Sequence, residues 1–303
     1  MEYRHKIILG VLQTFGKVLP PLEFRHILLL FSKSQQQPSF EFVPAEDGPF
    51  SFQAQADKQT LIKEGLLQER EEWTLATDHD YSEELTEKDH RILSHMYEQY
   101  GDLSQETLIK DVAQIHPYYQ ARNSLVRAYG TELESKMVEH ARPDNSEQKI
   151  YTIGYEGRLA EEFMNELFSR DVNVLIDVRN SSNSRKFGFA KSKLQEMCEA
   201  LDIEFIHMPE LGIESSKRQQ VQTEADHQAL LEEFEKNTLP GSQESLKRIH
   251  ALFEKHDRIT LMCYENDPEQ CHRSKISGKL EQDFKAPIEH IYDSSGAGNS
   301  GDA

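Results

Sequence analysis

Apolar residues recur at helical spacing through roughly the first 130 positions. After residue 150 they gather into short continuous runs separated by amphipathic stretches. In the first region "KIILGVLQTFG" carries its apolar positions on one helical face, and "LPPLEFRHILLLFSKS" opens with Pro-Pro, which a helix tolerates in its first turn, before a buried stripe. The stretch "FEFVPAEDGPFSFQAQADKQTLIKEGLLQEREEWTLA" predicts a short strand, a turn at Gly48-Pro49, a helix over about 51–64 stopped by Gly65, and a strand pair containing Trp73. Three helices followed by a two-stranded wing is the order of a winged helix. Two more amphipathic helices follow in "LTEKDHRILSHMYEQYGDLSQETLIKDVAQIHPYY", the second with a capping box expected at Ser104. Residues 131–149 are polar and read as a linker.

From residue 150 the pattern changes period. "IYTIGY", "VNVLIDVR", "IEFIHMPEL", "RITLMCYE" and "IEHIYD" read as strands, and the segments between them as helices, including one long helical stretch over about 219–255. Strand and helix in alternation predict an α/β domain, a mostly parallel sheet with helices on both faces. The nearly unbroken apolar runs "VNVLIDV" and "ITLMC" suit strands covered on both sides. The expected organisation is a mainly helical domain over 1–130, a linker over 131–149, an α/β domain over 150–293, and a disordered tail over 294–303.

Composition narrows the function classes. A chain of 303 residues with 29% charged and 37% hydrophobic residues is ordinary for two globular domains. No apolar run approaches the ~20 residues of a membrane span, and the first residues read as a helix, not a signal peptide. The three cysteines are sparse and odd in number, which argues against a disulfide framework and for a reducing cytoplasm. A formal net charge of −19 gives no overall steering toward nucleic acid, although the first 33 residues are locally basic.

In a parallel sheet, ligands bind beyond the carboxyl ends of the strands. Each of the first four strands of the second region is followed there by polar residues: Tyr155, Glu156 and Gly157 after the first, Asp177, Arg179, Ser184, Arg185 and Phe187 after the second, Glu210 after the third, and Cys263, Glu265, Cys271, His272 and Arg273 after the fourth. Gly157 serves a simple turn equally well, Asp177 a loop cap, and Cys263 a buried core. Cys198, inside an amphipathic helix, reads as core. The Cys271-His272-Arg273 trio stands apart. It opens a helix, where free N–H groups lower a thiol pKa, a guanidinium grips an anion, and an imidazole handles protons near neutral pH. Cys263, Cys271, His272 and a carboxylate also number four ligands. Their spacing departs from the C-x₂₋₄-C knuckles of zinc sites, so no metal and no cofactor is expected.

The motifs "YTIGYEG", "LIDVRNSSNSRKFGF", "IHMPELG" and "LMCYENDPEQCHRS" together resemble the family named domain of unknown function 488, over about residues 150–285. The resemblance implies an α/β fold, enzymatic activity, and a polar site built from the residues just named, with no established reaction. A proline expected near Asn180–Ser181 is missing. "LIDVR" and a cysteine loop before a helix are also similar to rhodanese-like and cysteine-phosphatase domains, but Glu265, Asp267 and Glu269 make this loop too acidic for their anion cradle. The N-terminal half resembles winged-helix-like domains of prokaryotic antitoxin and defence-associated proteins.

These readings lead to an expectation: a cytoplasmic hydrolase-type enzyme acting on DNA or a nucleotide, by base or N-glycosidic chemistry and in a genome-defence setting, with Asp177, Glu156, Glu210, Cys271 and His272 as catalytic candidates. Tyr155, Gly157, Arg179, Ser184, Arg185, Phe187, Cys263, Glu265 and Arg273 are the binding candidates. The alternatives are a cysteine-dependent sulfurtransferase or phosphatase-like enzyme and a non-catalytic nucleotide sensor. No membrane partner is expected, and homo-oligomerisation stays open.

Overall fold

The computed structural model describes residues 1–219 and 221–292, and the tail expected over 294–303 lies outside the described residues. The chain divides into two compact units, Met1–Arg142 and Pro143–Ala303.

The first unit is built from helices α1 (Tyr3–Thr14), α2 (Pro21–Ser34), α3 (Phe52–Lys63), α4 (Glu87–Tyr100), α5 (Gln105–Ile115), α6 (Leu125–Tyr129) and α7 (Glu132–His140). Two short antiparallel pairs accompany them: β1 (Val18–Leu19) with β4 (Trp73–Thr74), and β2 (Val43–Ala45) with β3 (Gly48–Phe50). Trp73 stacks on Phe24 at 3.8 Å inside a continuous apolar core drawn from α1, α2 and α4. Three expectations change. The turn between β2 and β3 is Glu46-Asp47, so Gly48-Pro49 starts a strand. Trp73 pairs with Leu19, far back in the chain, and the local strand contact is a single Leu67–Leu75 bridge. Ser104 caps α5 by accepting the Thr107 N–H, but Thr107 stands where a capping box needs Glu or Gln. Residues 131–149 are also not a plain linker. Thr131 and Glu134 form a true capping box for α7, which packs against α5.

The second unit is a five-stranded parallel sheet: β5 (Lys149–Gly154), β6 (Val174–Asp177), β7 (Glu204–His207), β8 (Arg258–Cys263) and β9 (Ile288–Ile291), in the order β7-β6-β8-β5-β9. Helices α8 (Ala160–Ser169), α9 (Lys191–Glu199), α10 (Ser215–Arg218), α11 (Glu224–Glu233), α12 (Gln243–His256) and α13 (His272–Phe284) connect the strands. Ile259, Leu261 and Cys263 of β8 join a core with Leu246, Ile249 and Phe253 of α12 and Ile276 and Leu280 of α13. Thr260 and Met262, equally buried, alternate to the opposite face. The crossovers through α8 and α9 step one way along the sheet and those through α12 and α13 step the other, so right-handed connections put the two pairs on opposite faces. The single long helix expected over 219–255 is instead broken by a wide turn at Phe234–Thr238 and a tight one at Leu239–Ser242, where Pro240 removes a donor. Among the described residues no helix is long and apolar enough to cross a membrane.

Candidate active site

Strand register pairs Gly154 with Cys263, and Asp177 with His207 and Met262, so these residues end their strands at one edge of the sheet. The chain leaves β5 and β8, adjacent strands, in opposite directions, so a crevice is expected outside their carboxyl ends. Two side-chain groups occupy this edge, and they differ in kind.

The first group is closed. Arg179 donates through Nε and Nη2 to the two carboxylate oxygens of Asp177 at 2.8 and 2.7 Å, and its own backbone N–H adds a third bond. Two further guanidinium N–H groups go to the Tyr155 hydroxyl and the Phe189 carbonyl. Tyr155 stacks on Phe189 at 4.2 Å and donates to the Ser184 hydroxyl. Asp177 is completely buried. These residues were expected to supply an acid or base, a phosphate grip and a stacking platform. Each is already satisfied by another, so Asp177, Arg179 and Tyr155 brace the β5 and β6 loops. Arg273 changes role for the same reason. It is wholly buried, donates to the carbonyls of Glu265 and Asn266 and to the Thr152 hydroxyl, and pins the loop after β8.

The second group is a cluster of reactive side chains. One ligand atom from each of Cys263, Glu265, Cys271 and His272 lies within 4.8 Å of the others. Cys263 Sγ is 3.3 Å from Glu265 Oε2 and 3.6 Å from His272 Nδ1, and Cys271 Sγ is 3.9 Å from that nitrogen. His272 Nε2 donates to the Val178 carbonyl, which fixes the ring and turns Nδ1 toward the sulfurs. A residue outside the expected set completes the cluster. Arg218, on α10, donates to Glu265 Oε1 at 2.6 Å and approaches Cys263 Sγ and His272 Nδ1 at 3.9 and 3.2 Å. Its only sequence signal was a Lys-Arg pair shortly after "PELG". The sulfurs and the imidazole are buried, while the Arg218 side chain keeps about a third of its surface exposed and stands at the mouth.

The electrostatics reverse one expectation. Burial opposes ionisation of Cys263, but the Cys271 thiol, the His272 ring and the Arg218 guanidinium outweigh it and hold its pKa well below the ordinary 9.0. Cys271, expected to be the acidic thiol, is pushed well above that value by burial and by its hydrogen bond to Cys263. Burial lowers the pKa of His272, yet the charge and hydrogen bond of Cys263 raise it overall.

The other candidates are scattered. Glu156 is exposed and accepts the Asn266 N–H at 3.1 Å, and Gly157 adopts a positive φ of 76° in a turn with open space around it. Glu210 accepts from Ser245 and lines a cleft with Asn180, Lys217 and Phe234. Phe234 also packs edge-on against the His272 ring, so the cleft adjoins the cluster. Arg185 and Phe187 are exposed on the β6 loop, as is Tyr264 after β8. Two glycines let loops close around the edge. A Cβ at Gly154 would sit 1.8 Å from the Glu265 carbonyl oxygen, and one at Gly212 would sit 2.0 Å from the Asn180 nitrogen.

The second unit is thus an α/β domain with a thiol-, imidazole- and carboxylate-lined site at the end of its central strand. Residues 159–280 match the family described as Domain of unknown function DUF488, and the unit carries a domain of that family. The match spans three of the four motifs that carried the resemblance; "YTIGYEG" lies just before it. No curated protein and no solved structure matches the chain.

Proposed function

We propose that the second unit is a hydrolase-type enzyme acting on a nucleotide or on DNA, with its reaction centre at Cys263, Glu265, Cys271, His272 and Arg218. The helical unit would serve as the substrate-binding arm. The observation that carries this reading is the convergence of Glu265, His272 and Arg218 within hydrogen-bonding reach at the end of the central strand. Hydrolysis needs a group that takes a proton, a group that gives one, and a cation where negative charge builds up. These three side chains are of the right types for those roles. Arg185, Phe187 and Tyr264, exposed on the same edge, suit phosphate and base contacts better than the enclosed Arg179 and Tyr155. N-glycosidic cleavage in a genome-defence setting remains the finer form of the proposal, supported only by the resemblance of the helical half.

The test is binding of the full chain to DNA and to nucleotides across a salt series, followed by turnover assays on whichever binds. Salt-steep DNA binding together with product formation that Arg218→Ala abolishes would support the reading. Absence of binding to either class at low salt would refute it.

One observation favours a second reading. Cys263, its pKa lowered by the neighbouring Cys271 thiol, His272 ring and Arg218 guanidinium, has the character of a nucleophile. A cysteine-dependent enzyme would lose activity on treatment with iodoacetamide, with Cys263 as the alkylated residue.

A further inference from the structure

We infer that Cys263, Cys271, His272 and Glu265 bind one thiophilic divalent cation of the zinc type. The proposal rests on the reading of this cluster as the reaction centre, and it decides whether the thiols are ligands or nucleophiles. A tetrahedral zinc ion with bonds of about 2.0–2.3 Å holds its donor atoms roughly 3.3–3.8 Å apart. Three of the six separations, 3.3, 3.6 and 3.9 Å, lie at or close to that spacing, and all four donor atoms are within 4.8 Å of one another. His272 has the arrangement of a metal-bound histidine, with Nε2–H on a backbone carbonyl and Nδ1 facing the sulfurs, and the ion would take the place at Nδ1 that the Arg218 Nη2 holds at 3.2 Å.

The spacing of the cysteines argued against a metal in the sequence, and the fold removes the objection. The loop from β8 turns back through a short helical turn at Pro268–Gln270, and Arg273 holds the Glu265 and Asn266 carbonyls. That brings Cys271 back beside Cys263. Cys271 is extended at φ −133° whereas His272 begins α13, so the two neighbours leave the backbone in different directions and still converge. The charges also close. Two thiolates and a carboxylate balance a divalent cation together with the Arg218 guanidinium, which stays on Glu265 Oε1. Glu265 is the donor nearest solvent, so it is the one that would yield to a water molecule and then accept its proton.

The test is titration of the reduced, EDTA-stripped full-length protein with Co²⁺. The expected result is saturation at one equivalent, with sulfur-to-cobalt charge-transfer absorption in the near ultraviolet, strong visible bands of a tetrahedral ion, and displacement by Zn²⁺. Cys263→Ser and Cys271→Ser should each weaken binding on the order of 100-fold, whereas Cys198→Ala should leave it unchanged. If a serine variant does not fold, His272→Gln and the wild-type charge-transfer band still decide. A wild-type protein without that band, or a band of undiminished intensity and affinity in both serine variants, overturns the proposal. Turnover by stripped protein that takes up no cobalt would sink the metal and leave the enzyme. One bound equivalent in a protein inert toward nucleotides and DNA would keep the metal and sink the function.

Discussion

Two arginine–carboxylate pairs stand at the same edge of one sheet, and they behave oppositely. In Asp177–Arg179 both oxygens are matched by a forked guanidinium, two further N–H groups have partners, and the carboxylate has no contact with water. In Glu265–Arg218 one guanidinium is shared among a carboxylate, a thiol and an imidazole, and its outer side meets solvent. A charge pair whose valences are nearly all filled holds loops in place. One that faces reactive groups and keeps an open side is available to a ligand. Residue type alone does not distinguish them.

The largest effect should come from breaking the closed pair. Arg179→Ala leaves Asp177 as a buried charge without a cationic partner, held only by the backbone N–H of residue 179, and should destabilise the second unit by about 3–5 kcal/mol, read from denaturation followed by circular dichroism. A loss below about 1 kcal/mol would mean that Asp177 is not locked as described.

Next comes a contrast between two buried histidines. His26, in the first unit, donates to the Leu22 carbonyl and faces the Gln120 amide, and burial lowers its pKa from 6.5 to about 4. The unfolded chain therefore takes up a proton below 6.5 that the folded one refuses until about 4. Stability is full above 6.5 and falls as the pH drops toward 4, by about 3 kcal/mol in total. Trp73 is the single tryptophan and lies in the same unit, so its fluorescence during denaturation reports this directly. His272 is shifted upward instead, so it should contribute no such loss over that range.

Gly154→Ala should cost about 1–3 kcal/mol by forcing the Glu265 backbone aside. It should also weaken ligand binding at the cluster, which calorimetry would separate from the stability change. Arg218→Ala should cost less than about 1 kcal/mol, because its pair is partly exposed, and yet abolish turnover. Equal losses of stability for Arg218→Ala and Arg179→Ala would erase the distinction between the pairs. The smallest stability effect belongs to Phe187→Ala, within about 0.5 kcal/mol, with a measurable loss of nucleotide affinity.

Much of this was legible in the chain. The change from helical periodicity to apolar runs marked the two units, and the polar residue after each run marked the edge. The break at residues 234–242 was also written, in "TLPGS", but the strong apolar spacing on both sides hid it. What the pattern could not show was partnership. Asp177 and Arg179 are two residues apart and were each read as facing a ligand, whereas they face each other. Arg218 comes from a segment 45 residues before Cys263, a separation at which only the folded topology says who meets whom.

The contact at Gly154 has a consequence for traffic. With the Glu265 backbone lying directly against position 154, the seam between the β5 and β8 loops has no width to give. The partly exposed Arg218 side chain and the adjoining cleft that holds Phe234 are then the solvent-facing neighbours of the cluster. The guanidinium is then a toll gate as well as a contact, and the rate of entry should follow the sign of the visitor's charge before any chemistry begins.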